Sequence, residues 1–119
     1  MSITHIAMFR FRDGVTDDQI AKFEAELATM PERTGCLKAY RYGRDLGARD
    51  GNFDFGVVAE LGSADEIDGY LDHPAHLELV RDHVLHIVAE RKAVQFSTDA
   101  LERHLEPARL RKEGAHERP

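Results

Sequence analysis

Ile3 to Arg12 alternates with the two-residue period of a strand, and both of its faces carry apolar side chains. Ile3, His5, Ala7, Phe9 and Phe11 point one way, and Thr4, Ile6, Met8, Arg10 and Arg12 point the other. A strand apolar on both sides needs cover on both sides. The face that holds His5 as its one polar member is expected to meet helices. The face with Ile6 and Met8 needs a different cover, and a chain of 119 residues has few elements left to supply it. A second copy of the chain is the expected cover, since two bare sheets pack economically face to face.

The remaining elements follow in order. Asp13-Gly14 is a turn. Thr16 and Gln19 form a capping box, and Val15 with Ile20 fits a hydrophobic staple. Ile20, Phe23, Leu27 and Met30 make a helical stripe that Pro31 is expected to end. Leu37 to Leu46 reads as a strand, with Tyr40 and Tyr42 on a face assigned to interface packing. Asp45 to Asn52 is a polar, glycine-rich connection, and Phe53 to Leu61 alternates as a further strand.

Ser63 to His76 carries the densest chemistry. Ser63 and Glu66 form an expected capping box, and Ile67, Tyr70 and Leu71 share one helical face. His73 precedes a proline and is biased out of the helical region, so the first helix should end there. Pro74 suits the first position of a second helix, which makes His73 the N-cap and puts His76 in the first turn. Leu77, Val80 and Val84 are the expected apolar stripe of that helix. The positive end of the helix dipole disfavours an imidazolium at His76, and a neutral imidazole accepts a proton or hydrogen bond. Two readings stay open: Tyr70 and His76 satisfy each other in a corner of the core, or they face a cavity. Arg91 to Ser97 is the last strand, and Leu85 to Glu90 fits a helix end or a strand start.

The order β-α-β-β-α-α-β is the split βαβ plan: an α+β, ferredoxin-like protomer whose four-stranded antiparallel sheet carries helices on one face. Residues 1–98 form that domain; residues 99–119 are expected to be a charged C-terminal arm or tail, partly disordered. Lysines and arginines number 16 and acids 22, for a formal charge of −6, which excludes nucleic acid as the main partner. Met1 to Arg12 is too short and charged for a signal peptide, and no apolar run approaches a membrane span. With Cys36 as the single cysteine, a reducing cytoplasm is the expected location, with no membrane partner.

His5-Ile-Ala-Met-Phe-Arg-Phe-Arg-Asp-Gly-Val-Thr, Gly43-Arg-Asp-Leu, Arg49-Asp-Gly-Asn-Phe-Asp and Tyr70-Leu-Asp-His73-Pro-Ala-His76, in this order, resemble the Dabb family of stress-responsive dimeric α/β-barrel domains. The resemblance runs from Ile3 to Ser97 and implies a homodimer in which two sheets close into a barrel. Many members are known only by their stress response. A plant polyketide cyclase branch performs an intramolecular aldol condensation; by similarity its tyrosine matches Tyr70, its catalytic histidine His76 and its first-strand histidine His5. A further histidine of that branch falls at Phe55, which removes one polar group from the implied site. Tyr70, His73 and His76 belong to the general family signature and do not mark cyclases alone.

The candidate catalytic residues are therefore His76, Tyr70 and His5, around an apolar ligand pocket lined by Ala7, Phe9, Phe23, Phe55, Val57 and Ala59. A small aromatic or polyketide-like molecule is the expected ligand. Competing expectations are a purely structural assembly protein and a filled core with two hydrogen-bonded histidines. His73-x-x-His76 and His83-x-x-His86 invite a metal, but Pro74 makes His73 a cap and no acidic or thiol partner completes a set, so no metal or cofactor is expected.

Overall fold

The structure is a computed structural model, described here over residues 2–98; the expected arm at 99–119 lies outside the described residues. Four strands, β1 (Ile3–Phe11), β2 (Leu37–Arg44), β3 (Phe55–Leu61) and β4 (Val88–Ser97), form one antiparallel sheet in the order β2-β3-β1-β4. β1 lies between β3 and β4, so each crossover skips one strand, as the split βαβ plan requires. No described helix is long and apolar enough to cross a membrane.

Alternation along the strands divides the sheet into two unlike faces. Ile3, His5, Ala7 and Phe9 oppose Leu61, Ala59, Val57 and Phe55, and all eight are buried. Helices α1 (Asp17–Leu27), α2 (Met30–Thr34), α3 (Asp65–Leu71) and α4 (Pro74–Leu79) cover this side, through Phe23, Leu27, Met30, Tyr70, Ala75 and Leu79. Phe23 sits at its centre, with ring centroids 5.9 Å from Phe9 and 5.2 Å from Phe55. On the opposite face Ile6 pairs with Val58 and Val94, and Thr4 with Phe96. Among the described residues no helix covers that side, and Met8, Val94 and Phe96 are 41%, 52% and 42% exposed.

The Thr16–Gln19 capping box forms on both sides: Oγ1 of Thr16 accepts from the Gln19 N–H, and Oε1 of Gln19 accepts from the Thr16 N–H. Four local expectations need correction. Pro31 does not end α1, which stops at Leu27; it occupies the first turn of α2, where a missing N–H is harmless, and Gly35 at φ 70° ends that helix. Ser63 does not cap α3. The Glu66 carboxylate instead accepts from the Gly62 N–H at 2.8 Å, one residue earlier. β3 starts at Phe55 rather than Phe53, because Asp54 gives its N–H to the Phe9 carbonyl and its carboxylate takes the Phe11 N–H. The apolar stripe after Pro74 is turned: Leu77 is half exposed, and Ala75 and Leu79 are buried beside His76. A wide π-helical turn, Val80–Val84, and a last helical turn, α5 (Leu85–Ile87), then lead into β4.

Candidate functional site

Between the helices and the sheet lies a cavity of about 480 Å³. His5, Ala7 and Phe9 of β1, Val57 of β3 and Tyr40 of β2 form its sheet wall. Phe23 and Leu27 of α1, Tyr70 and Leu71 of α3 and His76 and Leu79 of α4 form its helical wall. Val80 and Val84 of the π turn, Leu85 and Val88 close one side, and Arg12, Ala89, Glu90 and Arg91 lie along the start of β4 and its neighbour.

His76 reaches this wall because of the break before it. His73 has extended backbone angles, and its Nδ1 accepts the Ala75 N–H at 3.0 Å. That bond occupies the ring of His73 as a cap and leaves His76, three residues on, facing the sheet side. The Tyr70 ring, fully buried, stands between the two pocket histidines. Its centroid is 4.8 Å from that of His76 and 6.3 Å from that of His5, edge to face with each.

The polar atoms have distinct partners. The hydroxyls of Tyr70 and Tyr40 are hydrogen-bonded to each other at 3.2 Å. Nδ1 of His5 lies 2.8 Å from Nε2 of Gln95; an amide nitrogen donates, so Nδ1 accepts and the neutral ring carries its proton on Nε2. Nδ1 of His76 is buried without a hydrogen-bond partner. Burial lowers the pKa of His5, and the Arg91 charge lowers it further. Burial also lowers that of His76 against the pull of the Leu71 carbonyl, with His5 and Arg91 adding to the depression. Burial raises the pKa of Tyr70, opposed by its bond to Tyr40, and raises that of Tyr40 well above the phenol range. The site thus holds two neutral imidazoles and two protonated phenols at neutral pH.

The site residues expected from the sequence separate into two groups. His5, Tyr70, His76, Ala7, Phe9, Phe23 and Val57 meet at the cavity. Phe55 and Ala59 do not line it. Phe55 lies deeper, packed among Phe11, Phe23 and Tyr42, and Ala59 sits under Tyr70 with Leu61 in a separate part of the core. Tyr40 and Tyr42 are corrected as well. Their Cα partners are Ala59 and Val57, so they stand on the helix side of the sheet rather than on its bare face. Tyr40, Gln95 and Arg91 were missed as site residues. Gln95 and Arg91 were accessible through β4 alternation: Val94 and Phe96 belong to the bare face, which puts Arg91, Ala93 and Gln95 on the other. Among the described residues no group of three His, Cys, Asp or Glu side chains is placed to hold a metal.

The comparisons agree on the architecture. The model of the Dabb family, the stress-responsive A/B barrel domain, matches residues 3–98. A dimeric ferredoxin-like protein of unknown function from Thermobifida fusca is 42% identical, with 82% of this chain and 91% of that one covered at a TM-score of 0.74. The hydroxynitrile lyase of Passiflora edulis is 17% identical over 80% of this chain and 91% of its own, at a TM-score of 0.71. SnoaB, a cofactor-independent oxygenase from Streptomyces nogalater, is 14% identical over 81% and 91%, at a TM-score of 0.62. At those identities the last two share the fold alone. No curated protein matches the chain.

Proposed function

The chain belongs to the Dabb family of stress-responsive A/B barrel domains, and from that premise we propose that it is a cytoplasmic homodimer that binds a small, largely apolar molecule in each protomer. The cavity of about 480 Å³ between His5, Tyr70 and His76 carries the proposal. Its volume falls in the usual range for small-molecule sites, and its few polar groups converge on apolar walls, the usual composition of such sites. A filled core would leave no such space, and the buried Nδ1 of His76 would not lack a partner in a corner built only for stability. Dimerisation is supported by the apolar strip Ile6, Met8, Val94 and Phe96 on the bare sheet face, and by the Thermobifida fusca relative, which is described as dimeric.

Titrating the isotopically labelled protein with aromatic and polyketide-like compounds tests the pocket. Amide shifts concentrated at Val57, Leu79 and Val84 are expected. Shifts scattered over the surface, or none with any compound, would overturn it.

A catalytic reading has its own support in the protonation states. A neutral His76 is competent to take a proton next to a carbonyl, and a protonated Tyr70 or Tyr40 is competent to donate to the oxygen that gains charge. Carbonyl chemistry of the aldol type needs that pairing. Phe55, where a further histidine would stand, lies outside the cavity lining, so acid–base work would fall to His76, Tyr70 and His5. Hydrogen–deuterium exchange alpha to the carbonyl of a bound ketone, lost in His76→Ala, is the expected signature.

A further inference from the structure

We infer that Gln95 is a positioning residue of the pocket: it fixes the tautomer of His5, so that His5 keeps an N–H for the cavity while His76 keeps a lone pair. The inference rests on the pocket proposed above and assigns the polarity of its two imidazoles. The sheet register carries it first. Gln95 on β4 is the Cα partner of His5 on β1, so the two side chains stand opposite each other on the helix side of the sheet. His5 lines the cavity and Gln95 does not, so Gln95 acts on a ligand through the His5 ring.

A neutral imidazole carries one proton on two nitrogens, and the partner of one decides the state of the other. The Gln95 amide nitrogen lies 2.8 Å from Nδ1 of His5, and among the described residues the His5 ring has no other hydrogen-bond partner. The amide donates, Nδ1 accepts, and the His5 proton stays on its Nε2 with nothing in the protein to take it. Burial and the Arg91 charge keep the ring from gaining a second proton. His76 has the reverse arrangement. The Leu71 carbonyl is bonded to its ring, and a carbonyl only accepts, so the nitrogen it faces carries the proton. Nδ1 of His76 has no partner, so that nitrogen is Nε2, and Nδ1 keeps its lone pair. Both rings are thus the same tautomer with opposite atoms left free, a donor on His5 and an acceptor on His76.

An acceptor in place of the Gln95 amide would draw the His5 proton to Nδ1. Both imidazoles would then offer lone pairs, and a ligand carbonyl would gain a donor from neither. With Gln95 present, a ligand oxygen accepts from His5 while His76 takes a hydrogen bond or a proton from the same ligand. The two histidines do not compete for one proton.

Exchanging donor for acceptor at this one position tests the role: Gln95→Glu, whose carboxylate only accepts, against Gln95→Lys, whose ammonium only donates. Two-bond proton–nitrogen spectra of the isotopically labelled full chain at about pH 8.5 read the tautomers. His5 is expected to hold its proton on Nε2 in the unaltered protein and in Gln95→Lys, and to carry one on Nδ1 in Gln95→Glu. The His76 tautomer should change in neither. Gln95 is exposed on an edge strand, so both variants should fold, which matched circular dichroism melts check. With 4-phenylbutan-2-one as the ligand probe, Gln95→Glu should bind at least about fivefold more weakly than the unaltered protein, and Gln95→Lys within about twofold of it. An Nδ1 proton on His5 of the unaltered protein, or one tautomer in both variants, would overturn the role of Gln95 and leave the pocket standing. The expected tautomers with equal ketone binding by all three would overturn the donor's part at the cavity. The expected tautomers with ketone binding by none would overturn the pocket on which the inference rests.

Discussion

The rings of Tyr70 and His76 meet edge to face with centroids 4.8 Å apart, and the Tyr70 hydroxyl is bonded to that of Tyr40. The break at His73-Pro74 creates this relationship. It ends the helix that carries Tyr70 and starts the helix that carries His76 within six residues, so a phenol at one helix end and an imidazole at the next helix start close on the same space. The phenol and both imidazoles are kept uncharged by the apolar residues around them rather than by an ion pair.

Removing either hydroxyl of the tyrosine pair should separate their roles. Tyr40→Phe leaves the buried Tyr70 hydroxyl without its partner and should cost about 1–3 kcal/mol. Tyr70→Phe removes the buried polar group together with its bond and should cost about 1 kcal/mol. Urea denaturation with shared slopes measures both. A larger loss for Tyr70→Phe would mean that the Tyr40 hydroxyl, not that of Tyr70, is the group needing a partner.

Stability should depend on pH through His5 and His76. Both folded-state pKa values lie below the ordinary 6.5, so below that pH the unfolded chain binds protons that the folded chain refuses. Their contribution is complete above about pH 6.5, declines as pH falls from there towards the folded values, and levels off below them. A melting-temperature profile from about pH 8 to about pH 5 should fall accordingly, and His76→Phe should flatten it. Imidazole resonances of His5 and His76 titrating above 6.5 would reverse the sign and sink this expectation.

Much of the protomer was legible because local chemistry and the global pattern agree. Thr16 and Gln19 have no competing partner, and the two apolar faces of Ile3–Phe11 admit few architectures. The misreadings occur where a residue has two local solutions. Pro31 fits after a helix or inside the first turn of the next, and α2 is too short to announce itself by periodicity. Tyr40 and Tyr42 share a face by alternation, but which face depends on register with β3, and the shift between Leu37 and Ala39 in that pairing is a tertiary fact. Leu77 gave way to Leu79 because His76 itself occupies the inward side of α4, so the buried arc centres on a polar residue that a hydrophobic stripe does not count.

Phe23 ties three elements together, and its truncation should show how rigidly the cavity wall depends on them. It is fully buried against Phe9 of β1 and Phe55 of β3. Phe23→Ala should cost about 3–5 kcal/mol, and Phe23→Leu, which keeps most of the volume, considerably less. The alanine variant also enlarges the cavity beside Val57, so any compound bound by the unaltered protein should bind it more weakly even after correction for the unfolded fraction. Denaturant midpoints and titrations on the same samples separate the two effects.

The bare sheet face gives the last prediction. Val94 is half exposed in the protomer and stands opposite Ile6, at the middle of a strip that includes Met8 and Phe96. A carboxylate there costs an isolated protomer little, because water reaches it. In a dimer closed by two such faces the same substitution would bury a charge without a partner from each copy, and burying an unpaired charge costs several kcal/mol. Val94→Glu should therefore shift the protein from dimer to monomer in sedimentation at micromolar concentration, while His76→Ala, on the other side of the sheet, should leave it dimeric. A dimer that survives Val94→Glu, or an unaltered chain that sediments as a monomer, would place the interface elsewhere and leave Met8, Val94 and Phe96 needing another cover.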